Sequence, residues 1–275
     1  MKSIIDNNPA LKEQLDKIAE IAGYLWQRGW AERNGGNISV NVTEYITDEY
    51  KNAPALQAGV KLPRKVEGIA SNFFYVTGTG KRMRYVAKDP LANGAILRVS
   101  KDGETYDIIA DQPIMPTSEL PAHFTIHNHA RTVLKKDIKV VCHTHPTDLI
   151  ALTHNKNFLD SKKISYLLWS MIPETRAFCP NGLGIIPYRM PGGLDLADGT
   201  IQLLDRFDVV MWEKHGIVAV GEEIVETFDM IDTLSKAAQI YFYAKQAGFE
   251  PEGVSEEDMD AMAEVFNLPN HFKNK

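Results

Sequence analysis

Two histidines stand two positions apart at the end of an apolar run, in the segment VVCHTHP at positions 140–146. If this run is a strand, His143 and His145 project from the same face, roughly 6–7 Å apart, because side chains alternate along an extended chain. Two imidazoles at that spacing can converge on one metal ion. The alternative is that one or both are ordinary polar residues at a strand end. The His-X-His spacing does not decide between the two.

A third histidine, His215, lies in the segment WEKHG at positions 212–216, between two apolar strand candidates. From a neighbouring turn it could complete a set of three imidazole ligands. Three protein ligands leave one position of a tetrahedral ion open, which is the arrangement of a catalytic metal site. Taken alone, His215 would more often be an ordinary turn residue.

A carboxylate candidate follows in the segment PTSELP at positions 116–121. Ser118 is predicted to be the N-cap of a helix, and an acidic residue beside it is favoured by the helix macrodipole. Chemically, Glu119 next to a metal would suit proton abstraction beside a carbonyl group. The residues alone favour the first of these roles.

Two short loops are rich in glycine and in small polar side chains, at positions 34–37 and 77–80. Such loops can present backbone N–H groups to an anion such as phosphate, or they can be tight turns. Neither is a nucleotide loop, because Met83 stands where a dinucleotide fingerprint needs glycine and Tyr75 where a P-loop does.

Three further histidines and the two cysteines are predicted to be structural. His123, His127 and His129 share a predicted helix, and position 124 is Phe, so the glutamate of a zinc-protease signature is missing. A helix-face or packing role is expected for all three. Cys142 and Cys179 are predicted to be reduced core thiols, since two cysteines are too few for a disulfide framework. The alternative for Cys142 is a thiolate metal ligand, which its position directly before His143 disfavours, because adjacent strand residues point to opposite faces.

The elements that must position these residues follow from apolar periodicity. An opening helix is predicted over 11–25, and residues 43–70 are expected to form a polar surface excursion with Pro54 and Pro63. Strands are predicted over 38–42, 73–76, 95–99, 106–110, 138–142, 209–212 and 217–220, and further helices over 118–130, 148–154, 222–247 and 255–266. Strands without a regular helix between each pair indicate a mixed or largely antiparallel sheet covered by helices.

Composition limits the possible partners of the chain. Its 275 residues carry a net charge of −6 without a basic stripe, which argues against nucleic-acid binding. No stretch approaches the roughly 20 apolar residues that span a bilayer, and the first residues lack a signal-peptide core. A cytoplasmic protein with one domain over residues 1–275 and no membrane partner is expected.

Five segments occur together in the order found in the class II aldolase family, which the chain resembles. They are GWAERNGGN at 29–37, VTGTGK at 76–81, PTSELPAH at 116–123, the His143-X-His145 strand and KHG at 214–216. The resemblance implies a three-layer α/β/α fold with a central, mostly antiparallel sheet. It also implies a homotetramer with active sites at the subunit interfaces.

The resemblance also assigns roles to residues. It implies one Zn²⁺ per subunit, held by His143, His145 and His215, and Glu119 as the catalytic acid and base. Glu174, in the segment IPET at 172–175, resembles a glutamate that an adjacent subunit contributes. The residues implied around the phosphate of a small sugar-phosphate substrate are Asn34, Gly36, Asn37, Thr79, Gly80, Thr117 and Ser118.

The reaction implied by the resemblance is the reversible cleavage of L-rhamnulose 1-phosphate to dihydroxyacetone phosphate and L-lactaldehyde, in L-rhamnose degradation. Other members of such a family could use the same metal and phosphate loops as another sugar-phosphate aldolase, a 4-epimerase or a dehydratase. A non-catalytic assembly protein of the adducin-head type is the alternative from a different class.

Overall fold

A computed structural model of the chain describes residues 3–272. Within that range the strands are β1 (Asn37–Asn41), β2 (Gln57–Lys61), β3 (Phe73–Thr77), β4 (Gly94–Val99), β5 (Thr105–Ala110), β6 (Val140–Thr144), β7 (Gly184–Ile186), β8 (Val209–Trp212) and β9 (Gly216–Gly221). The helices are α1 (Pro9–Gln27), α2 (Asp48–Lys51), α3 (Met83–Val86), α4 (Pro90–Asn93), α5 (Leu120–His129), α6 (Thr147–Leu152), α7 (Ser161–Met171), α8 (Pro173–Phe178), α9 (Leu194–Ile201), α10 (Ile224–Gln246) and α11 (Glu256–Val265).

All of these strands belong to one sheet, in the order β2-β5-β4-β3-β1-β6-β9-β8-β7. Every neighbouring pair is antiparallel except β7 with β8, which is parallel. The predicted mostly antiparallel sheet is therefore confirmed. Strand β1 lies near the middle, between β3 and β6, and β6 in turn pairs with β9.

Helices cover both faces of the sheet and make the fold three-layered, as expected. On one face, α1, α6, α7 and α10 pack on alternate apolar residues of the strands, among them Ile38 and Val40 of β1. On the other face, α5 and α9 pack on the intervening residues, among them Val141 and Trp212. The apolar side chains are buried on both sides because the central strands are covered twice.

The segment 43–70 is more than a surface excursion. It supplies β2, an edge strand that pairs with β5, and it buries Ile46, Tyr50, Val66 and Ile69. Strand β2 has no apolar alternation, because most of its side chains are exposed at the edge of the sheet. That is why the sequence pattern did not reveal it.

The helix predicted to begin after Ser118 begins later, at Leu120, and its N-cap position is Glu119. Ser118 is therefore not the N-cap, and that prediction was wrong. The chain turns here because the Leu120 amide donates to the Thr117 carbonyl, while the Thr117 hydroxyl accepts from the Glu119 amide at 3.3 Å. The Glu119 side chain makes no capping hydrogen bond and is free to point elsewhere.

Candidate metal centre and active-site cleft

Three histidine side chains meet where β6 ends and where β8 turns into β9. One ligand nitrogen from each of His143, His145 and His215 lies within 4.8 Å of the other two. The Nε2 atoms of His143 and His145 are 3.2 Å apart, as two rings on one face of an extended chain can be. Among residues 3–272, this is the one group of three or more metal-ligating side chains at such distances.

The hydrogen bonds of the rings leave nitrogens available for a cation. Nδ1 of His143 donates to the Ile217 carbonyl at 2.9 Å, and Nδ1 of His145 donates to the Glu32 carboxylate at 2.7 Å. Both bonds fix the tautomer that keeps the Nε2 lone pair free, a common arrangement around metal-binding histidines. Nδ1 of His215 is buried without a hydrogen-bond partner. These donor atoms fit a divalent cation.

The protonation state of His143 agrees with that use. Burial, followed by the neighbouring rings of His145 and His215, lowers the pKa of His143 well below its ordinary value. The ring is therefore neutral at physiological pH, which is the form that binds a metal. Cys142 cannot join the site, since it packs in the opposite layer, where burial raises the pKa of its thiol to about 12.

The hairpin between β8 and β9 places His215. Lys214 has a left-handed backbone, with φ of 58°, and its amide donates to the Thr153 hydroxyl at 2.9 Å. The buried Glu213 carboxylate accepts from the Tyr188 amide at 2.9 Å, which ties the hairpin to the preceding loop. His215 itself donates its amide to the Trp212 carbonyl.

Glu119 lies beside the three rings. Its Oε2 atom is 3.7 Å from Nε2 of His143, and it accepts a hydrogen bond from the Asn37 amide nitrogen at 3.0 Å. The side chain is largely buried. A carboxylate at this position could exchange a proton with a substrate that is held at the ion.

The histidines and Glu119 line a cleft of about 360 Å³ that also receives both glycine loops. The structure brings eleven of the twelve predicted site residues to this cleft, and these are Asn34, Gly36, Asn37, Thr79, Gly80, Thr117, Ser118, Glu119, His143, His145 and His215. The exception is Glu174, which is exposed in the first turn of α8 and does not line it. The functional roles of all twelve stay predictions.

Four further residues line the cleft without having been predicted individually, and these are Glu32, Arg33, Gly35 and Gly78. Gly35 and Gly78 belong to the two predicted glycine loops, and all four lie within segments that carry the family resemblance, which was the available signal. Ser39 and His123 were missed too, although they form hydrogen bonds behind Asn37. Polar residues at alternate positions of the buried strand β1 could have pointed to Ser39.

Not every backbone amide of the glycine loops is available to an anion. The Gly35 amide donates to the Glu32 carbonyl, and the Thr79 amide donates to the Met115 carbonyl. Gly36 is required for another reason. Its φ is +75°, and a Cβ there would lie 2.9 Å from the His143 carbonyl oxygen, so the loop approaches β6 as only glycine allows.

Gly216 offers a test of how closely the rings are packed. A Cβ at Gly216 would lie 2.6 Å from the Thr144 carbonyl and 2.8 Å from the rings of His143 and His145. We expect Gly216→Ala to displace the rings and to weaken the affinity for added Zn²⁺ by about 10- to 100-fold. Isothermal titration of the metal-free protein measures this.

Gly23→Ala is the matched control for Gly216→Ala, because a Cβ at Gly23 would meet only the Ala87 methyl group, at 3.6 Å. We expect Gly23→Ala to bind Zn²⁺ as the unmodified protein does, and to stabilise α1 by up to about 1 kcal/mol. Equal affinities of the two variants would contradict the packing argument.

Glu32 should matter for metal affinity without being a ligand. Replacing it with Gln removes the negative charge that orients the His145 ring, and we expect about 10- to 100-fold weaker Zn²⁺ binding. Competition with a chromophoric chelator gives the constant. Glu13→Gln, an exposed change on α1, should leave it unaltered. An unchanged constant in Glu32→Gln would mean that the contact does not orient the ring.

No helix between residues 3 and 272 combines the length and the apolar character needed to cross a membrane.

Known proteins resemble the chain along nearly its whole length. A rhamnulose-1-phosphate aldolase from Bacteroides thetaiotaomicron is 51% identical over 275 residues, covering 98% of this chain and 100% of that protein. A rhamnulose-1-phosphate aldolase from Listeria monocytogenes is 32% identical, covering 92% of this chain and 93% of that protein.

A solved structure agrees with these relatives. The sugar-phosphate aldolase of Thermotoga maritima superposes with a TM-score of 0.76 at 29% identity, covering 88% of this chain and 99% of that one. The family described as Class II Aldolase and Adducin N-terminal domain matches residues 16–242. The chain therefore belongs to the class II aldolase and adducin N-terminal domain family.

Proposed function

We propose that the chain is a zinc-dependent aldolase that reversibly cleaves L-rhamnulose 1-phosphate to dihydroxyacetone phosphate and L-lactaldehyde, as a step in L-rhamnose degradation. The observation that carries this proposal is the 51% identity, over the full length, to a relative named rhamnulose-1-phosphate aldolase. It is supported by the presence of three histidines and a carboxylate in one cleft. Three histidine ligands with one open coordination position beside a carboxylate are the arrangement of a catalytic metal site, which favours an enzyme over a non-catalytic assembly protein.

The cleavage needs negative charge to be stabilised and a proton to be moved. His143, His145 and His215 would hold a divalent cation, which would act as a Lewis acid and stabilise negative charge on the oxygens of the sugar. As the bond between carbons 3 and 4 breaks, the hydroxyl at carbon 4 gives up its proton, which the ionised Glu119 takes up and delivers to carbon 3. In the direction of synthesis, Glu119 removes the proton from carbon 3 and returns it to the new hydroxyl. Its Oε2 lies close enough to the His143 ring to serve a substrate held there. We propose one Zn²⁺ per subunit for this site.

The substrate phosphate would be held by the other end of the cleft. Asn34, Thr79 and Ser118 offer short polar side chains there. Of the described residues that line the cleft, Arg33 alone carries a permanent positive charge, and a guanidinium suits a phosphate dianion. Binding energy from the phosphate would then orient the reacting carbons, which are remote from it.

We further propose a homotetramer in which Glu174 reaches the cleft of a neighbouring subunit. Glu174 is exposed and does not line the cleft of its own chain, which supports a contact made by another copy. A catalytic contribution from Glu174 requires such a neighbour. Sedimentation analysis of the purified protein tests the assembly.

Turnover of L-rhamnulose 1-phosphate before and after chelation, followed by addition of Zn²⁺, tests the proposed function. We expect activity to disappear on chelation and to return with Zn²⁺, and both named products to form. Product analysis with L-fuculose 1-phosphate and L-ribulose 5-phosphate separates this reaction from the related aldolase and epimerase reactions. Absence of cleavage by the Zn²⁺-loaded protein would overturn the proposal.

A further inference from the structure

We propose that His123 is a positioning residue for Glu119. It acts through the side-chain amide of Asn37, and both belong to a buried chain of hydrogen bonds that runs from His127 to Glu119. The inference rests on the proposed role of Glu119 as the proton carrier. It assigns a function to histidines that the sequence pattern suggested only for packing.

The chain consists of five buried side chains. Nε2 of His127 lies 2.9 Å from the Ser39 hydroxyl, which lies 2.7 Å from Nδ1 of His123. Nε2 of His123 contacts the Asn37 side-chain oxygen, and the Asn37 side-chain nitrogen donates to Glu119 at 3.0 Å. None of the five is more than 9% exposed. The chain thus leads from the core beneath β1 to the cleft.

The donor and acceptor of every hydrogen bond in this chain are fixed by the Glu119 carboxylate at its end. An ionised Glu119 only accepts, so Asn37 must present its NH₂ group to Glu119 and its oxygen to His123. The His123 ring must then carry its proton on Nε2. Burial lowers the pKa of His123 and that of His127 to about 3, so both rings are neutral. Nδ1 of His123 accepts from the Ser39 hydroxyl, which in turn accepts from Nε2 of His127.

This arrangement allows one orientation of the Asn37 amide. A flipped amide would place its oxygen against the Glu119 carboxylate and its NH₂ group against the His123 N–H. Both contacts would be repulsive in an environment that excludes water. The hydrogen bond from Asn37 is therefore fixed on Oε2 of Glu119, the same atom that lies 3.7 Å from the His143 ring.

The role of Asn37 changes accordingly. The resemblance implies that Asn37 surrounds the substrate phosphate, yet its oxygen and one of its two amide hydrogens are engaged within the protein. One amide hydrogen remains for a ligand. Asn37 therefore aims the carboxylate first, and His123 holds Asn37 in the orientation that this requires.

The decisive variant is His123→Phe, which keeps a ring in the core and removes the donor to Asn37. We expect kcat to fall by about 10- to 100-fold, with KM and zinc content close to those of the unmodified enzyme. His123→Gln retains an N–H donor and should recover most of the loss. His129→Phe, on the same helix and outside the chain of hydrogen bonds, is the matched control and should leave kcat unchanged.

Combination with Glu119→Gln separates positioning from a general structural effect. If His123 acts through Glu119, the double variant should turn over no more slowly than Glu119→Gln alone, because the same step is already lost. A multiplied loss in the double variant would overturn the proposal, and so would an unaltered kcat in His123→Phe.

A measurement on the unmodified enzyme keeps the proposal testable even if His123→Phe does not fold. Nitrogen NMR of the full-length protein labelled at histidine should find His123 and His127 as neutral rings protonated at Nε2. A His123 ring protonated at Nδ1 would reverse the direction of these hydrogen bonds and overturn the inference. This measurement needs no substrate. A failure of the proposed reaction would instead show as a lack of cleavage by the unmodified enzyme, so the two failures can be distinguished.

Discussion

Glu119→Gln is expected to bind Zn²⁺ as tightly as the unmodified protein and to cleave L-rhamnulose 1-phosphate about 100-fold or more slowly. The glutamine retains an oxygen that can accept from the Asn37 amide, so the cleft keeps its shape. What it loses is the ability to carry a proton to and from the carbon next to the carbonyl group. Steady-state kinetics with zinc analysis of the same sample measures both properties.

A partial reaction sharpens this prediction. With dihydroxyacetone phosphate alone in deuterated water, the unmodified enzyme should exchange a hydrogen of the hydroxymethyl carbon, and Glu119→Gln should lose that exchange to a similar extent. Glu20→Gln, an exposed carboxylate change on α1, is the control and should exchange normally. Full exchange by Glu119→Gln would remove this residue from the proton transfer.

His143→Ala is expected to have the largest effect on the metal. His143 is fully buried, and its Nε2 points toward the other two rings, so no other side chain can take its place. We expect the purified variant to contain no stoichiometric Zn²⁺ and to lose more than about 100-fold in turnover, because the Lewis acid is worth several kcal/mol. Elemental analysis and kinetics after dialysis test both expectations.

His154→Ala is the matched control for His143→Ala, since His154 is an exposed histidine that does not line the cleft. It should retain metal and activity. One zinc ion per subunit in His143→Ala, together with normal turnover, would contradict the proposed ligand set.

The parts of the fold that the sequence predicted are those with a local signal. The central strands were found either because apolar residues alternate within them, as Ile38 and Val40 do in β1, or because they form short continuous apolar runs, as β3 does. Strand β7 was missed because it has only three residues and is held by parallel pairing with β8, a contact that leaves no periodic trace. Helix α7 was also missed, although Asp160 is a typical N-cap residue and the apolar residues Ile164 and Leu168 have helical spacing.

The residues of the candidate site likewise differ in whether a local sequence pattern indicates their position. His143 and His145 stand two positions apart where β6 ends, so their projection from one face could be predicted from the spacing, although the spacing did not decide whether they bind a metal. The approach of His215 depends on the pairing of β6 with β9, where Thr144 lies opposite Ile217. Its place between two strand candidates left this approach open, and the family resemblance indicated it. The link from His127 through Ser39 joins a helix to a strand 88 positions away along the chain, and no pattern within either element predicts such a contact.

Strand β1 divides its side chains between two chemically different layers. Asn37 and Ser39 face the polar chain of hydrogen bonds, while Ile38 and Val40 face the helices on the other side. Loss or gain of a single residue before β1 would turn the side chains of Asn37 and Ser39 into the apolar layer. It would also turn Ile38 and Val40 toward the cleft. Mutational scanning should therefore find substitutions here far better tolerated than insertions or deletions, whereas the exposed edge at β2 should accept changes of length.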